Sequence, residues 1–183
     1  MKCGLAHILQ TLPLVLLVMV TAMAPPDRAF RLTSPAFADN QPIPVAHSCD
    51  GAGASPPLRW AGVPNGTRSL TLIVHDPDAP SGDFTHWLVY DLPPTITALP
   101  AGQYDSRHFP LGGLEGRNSF GQIGFGAPCP PLGPPHHYHF DLYAVRQPSL
   151  GLTAGASQAE VEAALQGKIL AKASLTGTYG RRP

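Results

Sequence analysis

Charge is scarce in this chain. Only 13% of its residues are Asp, Glu, Lys or Arg, and the 12 acids balance the 12 Lys and Arg. Such a balance gives no general attraction to nucleic acid or to an anionic membrane, so no nucleic-acid partner is expected. Long apolar runs are missing beyond the N-terminal segment, so no membrane insertion is expected once that segment is removed. No G-x-S-x-G occurs, which removes the nucleophile-elbow hydrolases, and no H-E-x-x-H, which removes the commonest helical zinc site. Cysteine is nearly absent, with three in 183 residues. Turn chemistry is plentiful instead, in 22 prolines and 19 glycines. With 43% hydrophobic residues the chain is too apolar for disorder. Short strands joined by long, turn-rich loops are expected, in a single domain.

The N-terminus reads as a targeting segment. Lys2 precedes the apolar stretch "ILQTLPLVLLVMVTAMA", which ends in Ala22-Met23-Ala24, a small-x-small cleavage pattern. Gln10, Thr11 and Pro13 interrupt the stretch, so residues 1–24 are expected to be a signal peptide cut after Ala24 rather than an anchor. Residues 25–183 then form one exported domain, periplasmic or secreted. Cys3 lies before the apolar core and away from the cleavage site, which argues against lipid attachment. Export leaves Cys49 and Cys129 in an oxidising compartment. They read equally well as a disulfide joining "SCDG" to "APCPP" and as two thiols.

Along the chain, "AFRLTSPAF" predicts a first strand and the β-branched "SLTLIVH" (69–75) a second. "THWLVYDL" and "HYHFDLYAV" predict two more, flanking a long glycine-rich region without periodicity. A loop of that length in a compact domain is usually functional. Ser157 and Glu160 fit a capping box, with Val161, Ala164 and Leu165 as an apolar stripe. The helix is expected to continue or resume to about Ala171, before a final strand. The fold class is mainly β, a sandwich with one or two short helices.

Several residues could carry chemistry. Asp76 ends a strand and, with Asp78, sits in "DPDAP", where Pro77 and Pro80 stiffen the backbone. Ordinary turn aspartates are the simpler reading of these five residues. Strand alternation places His86 with Leu88 and Tyr90 on one face, and His136 with Tyr138 and Phe140 on another. Gly121, Gly124 and Gly126 could let backbone N–H groups turn toward an anion. An Asp accepting from a histidine would favour a cationic imidazole facing such an anion. Two enzyme alternatives remain. His137, His139 and Asp141 share a strand face and could bind zinc, and Asp76 with His86 could do acid–base work, although no nucleophile is evident. A third alternative is a protease-inhibitor-like module using segment 101–123, with Arg107 and Arg117 around its glycines.

"DPDAP", "THW", "GFGAPCPPLGPPHHYHFDLYAV", "LTGTYGR" and the opening "FRLTSPAFADNQPIPVAHSCDGAGASPPLRWAGVP" together resemble the phosphatidylethanolamine-binding protein family. The likeness is to its bacterial, Raf kinase inhibitor-like branch and covers nearly all of residues 30–181. The resemblance implies a β-sandwich with Greek-key connections and a small pocket at one end of the sheets. It places the pocket on Asp76, His86, the Gly124–Gly126 backbone, His136 and Tyr138. It implies binding of phosphate or a phosphorylated head group, without a cofactor and without catalysis. Some members inhibit kinases or proteases through the surrounding surface, so modulation of an unspecified protein is a further expectation. Kinase inhibition itself does not transfer readily to an exported chain. The sequence ends soon after "TYGR", so no helical lid of the eukaryotic kind is expected.

Overall fold

The strand expected at 69–75 is buried at almost every position because both of its faces are covered. In the computed structural model, which describes residues 29–102, 109 and 111–181, it forms β4 (Ser69–Asp76) inside a six-stranded sheet. Buried strands of this kind lose the polar alternation of half-exposed ones. The residues expected to form the signal peptide, 1–24, and Arg107 lie outside the described residues.

Among the described residues nine strands make two sheets. β1 (Arg31–Thr33), β3 (Leu58–Ala61) and β6 (Ala98–Leu99) form the smaller one, in the order β1-β3-β6. The larger contains β2 (Gln41–Pro42), β4, β5 (Phe84–Leu92), β7 (Leu114–Glu115), β8 (His136–Val145) and β9 (Ile169–Tyr179). Its order is β2-β9-β8-β4-β5-β7, antiparallel except where β2 runs beside β9. Leu32, Leu58, Trp60 and Leu99 of the small sheet meet Leu72, Val74, Trp87 and Phe140 of the large one in the main core. That is the expected sandwich.

The outer face of the large sheet carries a second apolar cluster. Ile73, Leu88, Tyr90 and Val145 pack there against Leu150, Val161 and Leu165. The last two belong to α1 (Gln158–Leu165), whose N-cap is Ser157. Ser157 and Glu160 satisfy each other's backbone N–H groups in the capping box expected from sequence. The helix stops earlier than expected. Gly167 adopts φ +70°, a left-handed conformation suited to helix termination. Residues from Ile169 onward pair with β8 along its whole length instead of extending the helix to Ala171.

The register contains one irregularity that matters for the site. Val74 pairs with Trp87 but His75 pairs with Thr85, so His86 is an extra residue in β5. A bulge of this sort turns a side chain out of its alternation.

Candidate functional site

Without the bulge, His86 would face outward with Leu88 and Tyr90, as strict alternation predicts. With it, Thr85 points outward to Gln158 of α1, and His86 joins Trp87 on the inward side of the sheet. His86 meets the Tyr138 ring there at 5.1 Å between centroids. The expected shared face is thus corrected, and the bulge is the reason that β5 can serve the cavity.

The cavity has a volume of about 200 Å3 and opens at the ends of β4, β5 and β8. Asp76, His86, His136 and Tyr138 all line it, so four of the six expected site residues converge from three separate strands. The connection between β4 and β5 supplies Ala79, Pro80 and Ser81, and β5 itself supplies Phe84. Phe120, Cys129, Pro130 and Pro131 close the opposite side. Among the described residues no Lys or Arg lines it.

The polar groups are fixed in specific ways. Asp76 is buried, and one of its oxygens accepts from the Asp78 backbone N–H at 2.8 Å. The other lies 2.8 Å from His136 Nδ1, which assigns that nitrogen its proton and leaves Nε2 without a protein partner. His86 Nδ1 donates to the Gly126 carbonyl at 2.7 Å, again leaving Nε2 free. Burial pushes the His86 pKa below its ordinary value, a trend that its bond to Gly126 and the charge of Asp76 do not reverse. Tyr138 is buried among these groups, and its hydroxyl makes no hydrogen bond of good geometry among the described residues, its nearest polar neighbour being the Asp76 carboxylate. Burial, and then the nearby Asp76 carboxylate, raise its pKa, so it is held as a neutral O–H donor.

The two glycines take a different role from the expected one. Gly126 N–H donates to the His86 carbonyl at 2.7 Å, and Gly124 N–H to the Gly116 carbonyl at 3.3 Å. Neither N–H is available to an anion. Gly126 is needed for close approach instead, since a β-carbon there would lie 2.5 Å from Phe120 Cδ2. Together the pair brace His86 and Phe120. Asn118, which the sequence reading missed, holds this segment by accepting from the Phe120 and Gln122 N–H groups and donating to the Gly124 carbonyl. Phe84 and Phe120 were missed too. Their rings stand edge to face at 4.8 Å, and Phe120 is 48% exposed at the rim.

Cys49 and Cys129 form a disulfide across 80 residues of sequence, which decides the open choice between bridge and thiols. Cys129 is part of the cavity wall, and Cys49 N–H also donates to the Pro128 carbonyl. The zinc alternative does not assemble. His137 turns to Asp78 and His139 to Thr176, while Asp141 is taken by Lys172 and Ser174. Among the described residues no three His, Cys, Asp or Glu are grouped to hold a metal ion. Asp76 pairs with His136 rather than with His86. Arg117 folds back onto the Gly121 carbonyl, bracing its own loop.

Residues 33–180 match the family model described as phosphatidylethanolamine-binding protein. The chain belongs to that family. A UPF0098 protein of Aquifex aeolicus is 44% identical over 154 residues, covering 81% of this chain and 86% of the relative. LppC of Mycobacterium tuberculosis, which carries "lipoprotein" in its name, is 39% identical over 163 residues, or 88% of this chain and 78% of LppC. The crystal structure of Escherichia coli YbcL, described as a member of the mammalian family, superposes with a TM-score of 0.78. It is 36% identical and is matched over 99% of its length and 84% of this chain. The phosphatidylethanolamine-binding protein fold is therefore shared by sequence and by architecture.

Proposed function

We propose that this chain binds a small anion, phosphate or a phosphorylated head group, in the cavity of Asp76, His86, His136 and Tyr138. The observation that carries the reading is the buried Tyr138 hydroxyl, which makes no hydrogen bond of good geometry among the described residues, beside two imidazoles each presenting Nε2. Buried hydroxyls are ordinarily satisfied, and a phosphoryl oxygen would satisfy this one. Each hydrogen bond to a charged guest is worth about 1.5–3 kcal/mol net. Two or three of them support micromolar to millimolar retention.

Charge sets the conditions. With His86 neutral and Asp76 inside the wall, the cavity holds no excess positive charge at neutral pH. An anion is welcomed by protonation, so binding takes up a proton. Affinity for phosphoethanolamine is expected to rise as pH falls from 8.5 to 5, through the depressed pKa of His86. Isothermal calorimetry over this range tests it, and a flat profile counts against the reading. The family's name supports a head group of this class. Export is part of the proposal, supported by the N-terminal segment and by the name of LppC. N-terminal sequencing of chain recovered from outside the cytoplasm should begin at Pro25. Modulation of a protein partner would use the exposed rim, where Phe120 and Leu132 stand clear of the core. His86→Ala should leave such an activity intact while removing head-group binding.

A further inference from the structure

The segment between β4 and β5 forms one wall of the cavity through Ala79, Pro80 and Ser81. It contains three aspartates if Asp76 at its start is included, and every one is paired with a histidine. Asp76 takes His136, Asp78 takes His137 at 2.7 Å, and Asp83 takes His75 at 2.6 Å. Two of these pairs lie outside the cavity. His137–Asp78 is exposed, at 52% and 44% of the side chains, and is reinforced by the His137 backbone N–H. His75–Asp83 closes the base of the loop, since its members sit at the end of β4 and just before β5. Asp83 is also held by Gln158 of α1 at 3.0 Å.

We propose that His75 and His137 are positioning residues that hold the cavity wall in place through their carboxylate partners, and that the His75 anchor is released when its imidazole loses its proton. The consequence for ligand affinity rests on the proposed binding function, whereas the positioning of the loop does not. Both ends of the loop are anchored by imidazole–carboxylate pairs, to which the Gln158 amide on Asp83, the His137 backbone N–H on Asp78 and short internal turns such as Gly82 N–H to the Ala79 carbonyl add. No Lys or Arg pairs with any of the three aspartates among the ion pairs of the described residues.

The groups facing these histidines set the pH range. His75 meets Asp83, Asp141 of β8 at 3.4 Å, and the His139 ring at 5.4 Å; Lys172 of β9 reaches it only through Asp141. Burial opposes its charge, but the bonds to Asp141 and Asp83 outweigh burial and raise its pKa above 6.5. His137 faces Asp78, whose pKa is lowered mainly by that hydrogen bond, with His136 adding a smaller charge effect. A raised histidine contributes fully below its unfolded pKa and is lost as pH rises through the folded value. A lowered aspartate contributes above its unfolded pKa and is lost as pH falls through the folded value. The wall is therefore firmest between about pH 4.5 and 6 and loosens on the alkaline side.

Two measurements on the exported chain test this. Hydrogen exchange of the amides between Asp78 and Asp83, corrected for intrinsic rates, needs no ligand. Protection should fall about threefold between pH 5.5 and 9, from the His75 pair. His75→Gln should remove about threefold at pH 5.5 and nothing at pH 9, and His137→Gln about threefold at pH 5.5. Equal losses at both pH values for His75→Gln would mean a merely structural role and overturn the proposal, as would unchanged protection in both variants. His137→Gln alters an exposed pair, so it remains informative if His75→Gln does not fold. Calorimetry with phosphoethanolamine then separates the two readings. Variants that bind about threefold more weakly at pH 5.5 and normally at pH 9 support the proposal. Variants that bind like the parent at both overturn its link to affinity while the binding function stands. No binding by the parent chain, with pH-dependent protection intact, removes the binding function and leaves the positioning role supported.

Discussion

Tyr138→Phe should make the protein more stable and a poorer binder at once. The Tyr138 hydroxyl is buried and makes no hydrogen bond of good geometry among the described residues, and a buried polar group left unsatisfied costs about 1–3 kcal/mol. Removing one oxygen while keeping the ring preserves the packing against His86 and the burial on β8. The gain is set at the lower end, about 1 kcal/mol, because pocket water can meet part of the demand. For a domain of this size that corresponds to roughly 2–4 °C in Tm. In the ligand complex the same hydroxyl would donate to a charged phosphoryl oxygen, a bond worth about 1.5–3 kcal/mol. Its loss therefore weakens phosphoethanolamine binding about tenfold or more. Differential scanning calorimetry without ligand and titration calorimetry at pH 5.5 give the two numbers. Opposite signs are the mark of a group kept for a guest. A lower Tm with unchanged affinity would refute the reasoning, because the hydroxyl would then be satisfied within the fold and idle toward ligand.

Two further predictions concern the frame of the cavity. Reducing Cys49–Cys129, which spans 80 residues, should lower stability by about 4 kcal/mol on a loop-entropy estimate. It should also weaken head-group binding, since Cys129 is in the wall; thermal unfolding and calorimetry with and without reductant measure both effects. Asp141 has its pKa lowered to about 2: burial opposes the charged form, but bonds from His75, Lys172 and Ser174 overcome it. Its stabilisation of about 2 kcal/mol is present above the ordinary aspartate pKa and lost as pH falls toward 2, so urea midpoints for Asp141→Asn should lose that acid dependence.

Much of the architecture was legible because local chemistry and tertiary context agree. β4 is β-branched and apolar because both faces of the sheet are covered, and Ser157 with Glu160 marks the start of α1 by hydrogen bonds made within one turn. The end of that helix was not legible, since Ile169–Ala171 suits either conformation until β8 is available to pair with. The aspartate loop and the His136–Tyr138 face were readable from strand alternation, which holds along β8. The same rule failed on β5, where one extra residue reverses the direction of His86. A bulge is a property of two strands in register, and "FTHWLVY" carries no glycine or proline to announce it.

That failure explains how the site is built. Alternation alone would send His86 outward into the apolar cluster under α1, where an imidazole has little to bond. The bulge moves it inward, and the Gly126 carbonyl then fixes its ring while Gly126 N–H holds its backbone. Gly126, expected to help cradle an anion, thus orients a cavity imidazole instead, and its value lies in close approach rather than in a free N–H donor. Gly126→Ala would force Phe120 away from a β-carbon 2.5 Å from its ring, and with it the edge-to-face contacts to Phe84 and His86. The cost should therefore appear at the cavity more than in the core. Phosphoethanolamine affinity should fall about tenfold by calorimetry while near-ultraviolet circular dichroism of the buried tryptophans stays unchanged. A variant that binds like the parent would show that the His86 ring does not depend on this brace.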